Sequence, residues 1–374
     1  MTREATAERP ARIMRPRVLL AALLLAGAPL AGAPLAGVPL ATTAPVRAAE
    51  DTLTLMTHDS FFLPVGIIEA FEAEHEVDVE LLPAGDAGAM VNQAILTAER
   101  PLADVLFGVD NTFLSRALAA DLFEPYRSPA LAAVPAELVL DPEYRVTPID
   151  YADVCLNIDR AAFADDGLPL PADLLDLLDP ALASRLVVQN PATSSPGLAF
   201  LLATIVTFGD DPETGWRSYW AGLRDNGVTV AAGWEEAYYG SFSGGSGEGD
   251  LPIVVSYASS PVAEVVFGPD PEASESPTAA VDAGCFRQIE FAGILRGTDR
   301  PELAAALIDH LLAPQTQAEL PLAMYVYPAR SDVDLPEVFA RHALVPSQPL
   351  TLDPAVIDAG REAWIREWTD IVLR

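Results

Sequence analysis

From residue 53 onward, short apolar runs alternate with stretches of helical period. Residues 53–56 (LTLM), 77–82 and 103–108 (ADVLFG) predict strands bounded by polar residues. Between and after them, 65–75, with Ile68 and Phe71 facing inward, 89–98 behind an Asp86 cap, and 113–120 have helical spacing. The run 186–208 (LVVQNPATSSPGLAFLLATIVTF) organises the middle of the chain. It predicts a buried strand, a polar loop, and an apolar helix opening near Pro196, with Thr193, Ser194 and Ser195 as capping residues. Such a helix start presents hydroxyls, unpaired N–H groups and the positive end of a dipole to a ligand. A plain N-cap accounts for the same residues.

Later elements repeat the alternation. Helices are predicted at 172–179 and 215–223, and around Trp234, Tyr238 and Tyr239, of which the first two share a face. A glycine-rich loop covers 241–250, and a strand covers 253–257. Helices at 300–312 and 314–320 precede a long C-terminal helix, 353–374, with Ile357, Trp364, Trp368 and Ile371 as its core stripe. This is an α/β pattern with a largely parallel sheet. Two extended stretches, near 150–157 and 286–293, bracket the middle unit, so the chain reads as two α/β lobes joined by hinge strands, with a cleft between them. Lobe 1 is expected from 50–152 and 287–374, and lobe 2 from 153–286. In open sheets ligands sit beyond the carboxyl ends of strands. His58, Asp59, Asp86 and Asp110 fall there, although each also has a plain role as cap or loop residue.

Charge narrows the partners. The net charge is -32, and the sequence contains no lysine. A chain this acidic is a poor partner for nucleic acid or an anionic membrane and would attract cations. Arg9, Arg12, Arg15 and Arg17 precede an apolar, small-residue-rich stretch to Leu40, and 44–49 (APVRAA) offers a cleavage site. Residues 1–49 are therefore expected to be an export signal; Pro29, Pro34 and Pro39 argue against a retained anchor. The expected product is periplasmic or extracytoplasmic. Cys155 and Cys285, an even pair in an exported chain, fit one disulfide or two buried thiols equally well.

Catalytic patterns are weak. No G-x-S-x-G elbow is present, since GSFSG at 240–244 centres on Phe242. None of the four histidines forms H-E-x-x-H, and the two cysteines lack clustered histidine for zinc. No catalytic residue, cofactor or metal is expected, and a secreted hydrolase is the remote alternative. Trp234 with Tyr238 fits core packing and a binding wall equally well.

Several segments share a resemblance through their order and spacing. They are THDSF (57–61), ADVLFGVDN (103–111), QNPATSSPGL (189–198), GWEEAYYG (233–240), VVSYASSP (254–261), YPAR (327–330) and REAWIREW (361–368). Together the mature chain, from about residue 52 to its end, resembles the periplasmic thiamine-binding proteins of thiamine ABC transporters. That resemblance implies a type II solute-binding fold, thiamine or its mono- or diphosphate held in a closed cleft, a membrane permease as partner, and a monomer. It puts the ligand contacts on Asp86, Ala87, Ser194, Ser195, Trp234, on Tyr257, Ala258, Ser259, Ser260 and Pro261, and on Tyr325, where the family tends to have a Trp. His58, beside Asp59, stands where the family tends to have a Tyr, Ala87 replaces a Gly, and Ala263 replaces another aromatic, which implies a thinner aromatic box. The chemistry of thiamine agrees. Its flat cation suits aromatic faces, its exocyclic amine suits a carboxylate such as Asp86, and its hydroxyl or phosphate suits the helix start at Ser194–Ser195. Inside the same fold, ferric ion held by tyrosinates such as Tyr238 and Tyr239, or a polyamine, are the alternatives.

Overall fold

The computed structural model describes residues 51–374. The expected signal, 1–49, lies outside the described residues. In chain order the strands are β1 (Asp51–Thr57), β2 (Val77–Pro83), β3 (Val105–Asp110), β4 (Phe123–Glu124), β5 (Thr147–Asp159), β6 (Leu186–Gln189), β7 (Thr229–Ala231), β8 (Ile253–Tyr257), β9 (Thr278–Leu295) and β10 (Tyr327–Pro328). The helices are α1 (Val65–His75), α2 (Ala87–Leu96), α3 (Leu114–Ala119), α4 (Arg160–Asp166), α5 (Pro180–Ala183), α6 (Ser195–Phe208), α7 (Trp216–Asp225), α8 (Ser260–Val266), α9 (Pro301–Leu311), α10 (Pro314–Ala323), α11 (Glu337–His342) and α12 (Pro354–Val372). No helix among the described residues is long and apolar enough to cross a membrane.

The strands form one sheet in the order β2-β1-β3-β9-β5-β8-β6-β7, with β4 added to β9 and β10 to β5. Its two ends are parallel triplets: β2, β1 and β3 at one, β8, β6 and β7 at the other. The long strands β5 and β9 pair antiparallel between them, from Thr147 opposite Ala292 to Asp159 opposite Thr278. The triplets attach at different places along this ribbon. β3 pairs with residues 290–294 of β9, whereas β8 pairs with residues 154–158 of β5. The extended stretches expected near 150–157 and 286–293 are these two strands. The alternation predicted a parallel sheet; the triplets are parallel, and the antiparallel centre comes from the returning strand β9.

The ladder between β5 and β9 shifts register between Val154 and Leu156, and there Cys155 is bonded to Cys285. Of the two states left open for the cysteines, the disulfide is the one formed.

The core follows the apolar pattern. Every residue of α6 from Ser195 to Ile205 is buried, as expected for a helix apolar on all sides. Ile357 and Trp368 of α12 are fully buried, while Trp364 and Ile371 are half-buried at the margin. Trp368 meets Trp220 of α7 edge to face, with ring centroids 5.4 Å apart. Three local expectations differ from the structure. Residues 174–178 wind as a 3-10 helix, because Asp173 and Asp179 cap short turns there. Residues 236–241 form a π-helical turn, a geometry frequent at functional sites. The ASSP segment opens α8, with Pro261 in its first turn.

Candidate functional site

The carboxyl ends of the parallel strands in both triplets converge on one cavity of about 510 Å³, within the range of small-ligand sites. After β1 come His58 and Asp59; after β2, Asp86 and Ala87; after β6, Ser195; after β7, Trp234; and at the end of β8, Tyr257. Ser260 at the start of α8 and Tyr325 before β10 complete the expected residues that line it. Ser194, Ala258, Ser259 and Pro261 do not. Ala258 packs against the disulfide, and Pro261 is buried in the first turn of α8. Ser259 acts at one remove: its hydroxyl donates to the carbonyl of Tyr325. That bond holds Tyr325 in a left-handed conformation (φ 58°) that a bulky residue rarely adopts.

Contacts across the cavity join residues from the two triplets. The Asp86 carboxylate accepts hydrogen bonds from the backbone N–H groups of Ala87 at 2.7 Å and Trp234 at 2.9 Å. The backbone N–H of Gly88 donates to the Thr193 carbonyl at 3.0 Å, and the Ser60 hydroxyl donates to Glu235 at 3.2 Å. The serine pair at the start of α6 behaves differently from the capping expected. Ser194 occupies the N-cap, but its hydroxyl is buried and makes no capping bond, while Ser195 donates to the Asp110 carboxylate. Asp110 is thus buried behind the lining, and burial, partly offset by the Ser195 and Thr112 hydrogen bonds, pushes its pKa up to about 6.

Aromatic rings form the walls. Trp234 stacks on Tyr238 at 5.0 Å with planes 18° apart, and stands 6.2 Å from Tyr257. Its indole N–H donates to Ser256 at 2.9 Å, and the Ser256 hydroxyl bonds Ser260 at 2.9 Å, so this serine pair fixes the ring. Trp234 therefore serves both readings given to it, packed on Tyr238 and facing the cavity. With Phe61, Phe62, Tyr239, Phe267 and Tyr325, eight aromatic rings line the space. His58 and Ala263, which stand where the family tends to have aromatic residues, both line the cavity, and Phe62 and Phe267, outside the shared segments, add rings to it.

The polar lining is acidic. Asp59, Asp86, Asp150, Glu235, Glu264 and Glu290 line the cavity, and among the described residues that do so His58 is the one basic side chain. His58 Nε2 lies 3.7 Å from a Glu290 oxygen. Burial alone would lower the His58 pKa; the charge of Glu290, with Asp86 and Asp59 behind it, outweighs burial and leaves it raised. The ring packs on Gly108 (φ +99°), where a Cβ would collide with it, so this position requires glycine. Burial, then the Glu290 charge and a hydrogen bond shared with it, raise Asp150 well above the carboxylate range. Burial likewise raises the Tyr257 and Tyr238 phenols, which leaves both neutral at physiological pH, and Tyr238 donates to Glu264 at 2.8 Å. Among the described residues no group of three or more His, Cys, Asp or Glu is placed to hold a metal ion.

Asp150, Gln288 and Glu290 were not singled out in the sequence, since the stretches near 150–157 and 286–293 read only as extended crossings. The available signal was polar residues inside strands apolar enough to be buried on both faces.

A cavity at the carboxyl ends of two parallel strand sets, joined by two long antiparallel strands, is the architecture of a type II periplasmic binding protein. Residues 100–347 match the family of bacterial extracellular solute-binding proteins, and this chain belongs to that family. Over 340 residues it is 31% identical to the thiamine-binding periplasmic protein of Escherichia coli (strain K12), covering 89% of this chain and 96% of that one. The thiamine-binding periplasmic protein of Salmonella typhimurium is 30% identical over 334 residues, covering 87% and 95%. A solved periplasmic thiamin binding protein superposes with a TM-score of 0.76 at 29% identity, over 87% of this chain and 97% of that one.

Proposed function

We propose that this protein captures thiamine outside the cytoplasm, as the free vitamin or a phosphate ester, and delivers it to an ABC transporter permease. The observation that carries the reading is the lining: aromatic walls around a polar surface with six carboxylic side chains and a single histidine. A flat cation gains from ring faces and from negative potential together. The relatives named above are thiamine-binding periplasmic proteins. Residues 1–49 would direct export and be removed, and the mature chain would act as a monomer without catalytic turnover or a cofactor.

In this reading residues 50–152 and 287–374 form one lobe, residues 153–286 form the other, and β5 and β9 are the hinge. Ligand enters between open lobes; closure then makes the Asp86–Trp234 and Ser195–Asp110 contacts. Ferric ion fits less well, because the Tyr238 ring is stacked on Trp234 with its hydroxyl donating to Glu264, and Tyr239 stands edge-on to it, so the two phenol oxygens are not presented together.

Calorimetric titration of the mature protein with thiamine, its mono- and diphosphate, spermidine and ferric citrate tests the proposal. Stoichiometric binding of a thiamine form, tighter than spermidine, is the expected result. Binding of spermidine alone, or a visible charge-transfer band with iron and no heat with any thiamine form, would overturn it.

A further inference from the structure

The central strands carry three acids in a row. Antiparallel pairing sets Asp110 of β3 opposite Glu290 of β9, and Glu290 opposite Asp150 of β5. Residues paired this way project from the same face. Their surroundings differ. Asp110 is closed off by Ser195 and Thr112 and does not line the cavity. Glu290 lines it, accepts a hydrogen bond from Gln288 Nε2 at 3.2 Å, and faces His58. Asp150 also lines it and is fully buried, and among the described residues no N–H or hydroxyl group reaches either of its oxygens, which have only the Glu290 carboxyl group beside them.

Two carboxyl groups placed directly opposite must repel or share a proton, and buried acceptor oxygens that no N–H group reaches are costly. Such a pair on the floor of an aromatic-walled cavity is built for something that brings N–H groups. Asp86, the acid that the sequence resemblance puts against the ligand, already has both oxygens engaged by the N–H groups of Ala87 and Trp234.

We propose that Asp150 and Glu290 form the acceptor subsite for the amino group of a cationic heteroaromatic ligand, and that this pair, not Asp86, selects ligands bearing that group. The inference rests on the thiamine reading and adds an orientation to it. The aminopyrimidine points down to the β5–β9 floor between the aromatic walls. The hydroxyethyl arm, with any phosphate it carries, points away from these two acids.

Oxythiamine, in which a carbonyl oxygen replaces the amino group, separates the possibilities. Calorimetry would compare thiamine with oxythiamine on the wild-type protein, on Glu290→Gln and on Asp86→Asn, with folding checked by thermal melting. The wild type is expected to prefer thiamine at least tenfold. Glu290→Gln, which offers an N–H donor where the charge was, is expected to lose most of that preference. Asp86→Asn is expected to weaken both ligands by a similar factor and keep the preference. Equal affinity of the wild type for the two ligands, or an unchanged preference in folded Glu290→Gln, would overturn the inference while leaving thiamine binding intact. Should Glu290→Gln not fold, Asp86→Asn decides: a preference kept there supports the inference, and a preference lost there overturns it. No binding of thiamine by the wild type would overturn the underlying reading and this inference with it.

Discussion

The carboxylate of Asp86 accepts a hydrogen bond from the backbone N–H of Trp234 at 2.9 Å, joining residues 148 positions apart in the sequence. Asp86 follows the second strand of one parallel triplet and Trp234 follows the outer strand of the other. The bond therefore ties the two ends of the sheet together over the cavity. A hydrogen bond to a charged group contributes about 1.5–3 kcal/mol. Asp86→Ala should accordingly weaken thiamine binding by about 10- to 100-fold. Most of the loss should be in the dissociation rate, measured by stopped-flow fluorescence, because the bond forms after entry.

Trp234 is held by its stack on Tyr238 and by the Ser256 hydroxyl. A ring–cation contact contributes about 0.5–2 kcal/mol. Trp234→Ala should lower thiamine affinity by about 2- to 30-fold, and Trp234→Phe should recover part of it. Ser256→Ala frees the indole N–H and should give an intermediate loss, although Ser256 itself does not line the cavity. Equal affinities for all three variants and the wild type would remove this ring from the site.

Cys155 and Cys285 join β5 to β9 across 130 residues of sequence where their ladder changes register. A disulfide closing a loop of that size contributes about 2–5 kcal/mol. The double Cys→Ser variant should melt at a clearly lower temperature than the oxidised wild type, and reduction of the wild type should reproduce the shift.

Asp110 gives a pH signature. Its pKa is about 6 in the folded protein, against an ordinary 3.8. Between those values the native state holds a proton that the unfolded chain has released. Stability contributed by this group therefore falls as pH rises from about 4 to 6, and the full cost, of the order of 3 kcal/mol, stands above that. Asp110→Asn keeps an acceptor for Ser195 and removes the charge. It should raise the melting temperature at pH 7–8 and change little near pH 4. A stabilisation equal at both pH values would contradict the assignment.

How much of this was legible in the sequence depended on periodicity. α1 was read with its observed bounds, because Phe71 and its neighbours repeat at helical spacing, and β2, β8 and α12 were read nearly as well. Positions after strands placed His58, Asp59 and Asp86 at the cavity by the general rule for open sheets, whereas Asp110, singled out by the same rule, is buried behind the lining, and Tyr257 came from the resemblance alone. Other features depended on tertiary context. Ser194 and Ser195 looked like equivalent caps, but only pairing with Asp110 from a distant strand decides which hydroxyl is used and how. Asp150 and Glu290 face one another through the register of β5 and β9, which a single strand pattern does not encode. The short helix α8 was hidden behind a strand end, although Pro261 at its first turn was the available cue.

The central claim is that a flat cationic vitamin lies between aromatic walls at the junction of the two strand triplets. A crystal structure of the mature protein grown with thiamine tests it most directly. The account predicts density for the vitamin within contact of Trp234 and Tyr257, its amino group within about 3 Å of Glu290 or Asp150. Thiamine bound elsewhere on the molecule, with this cavity holding only solvent, would contradict it.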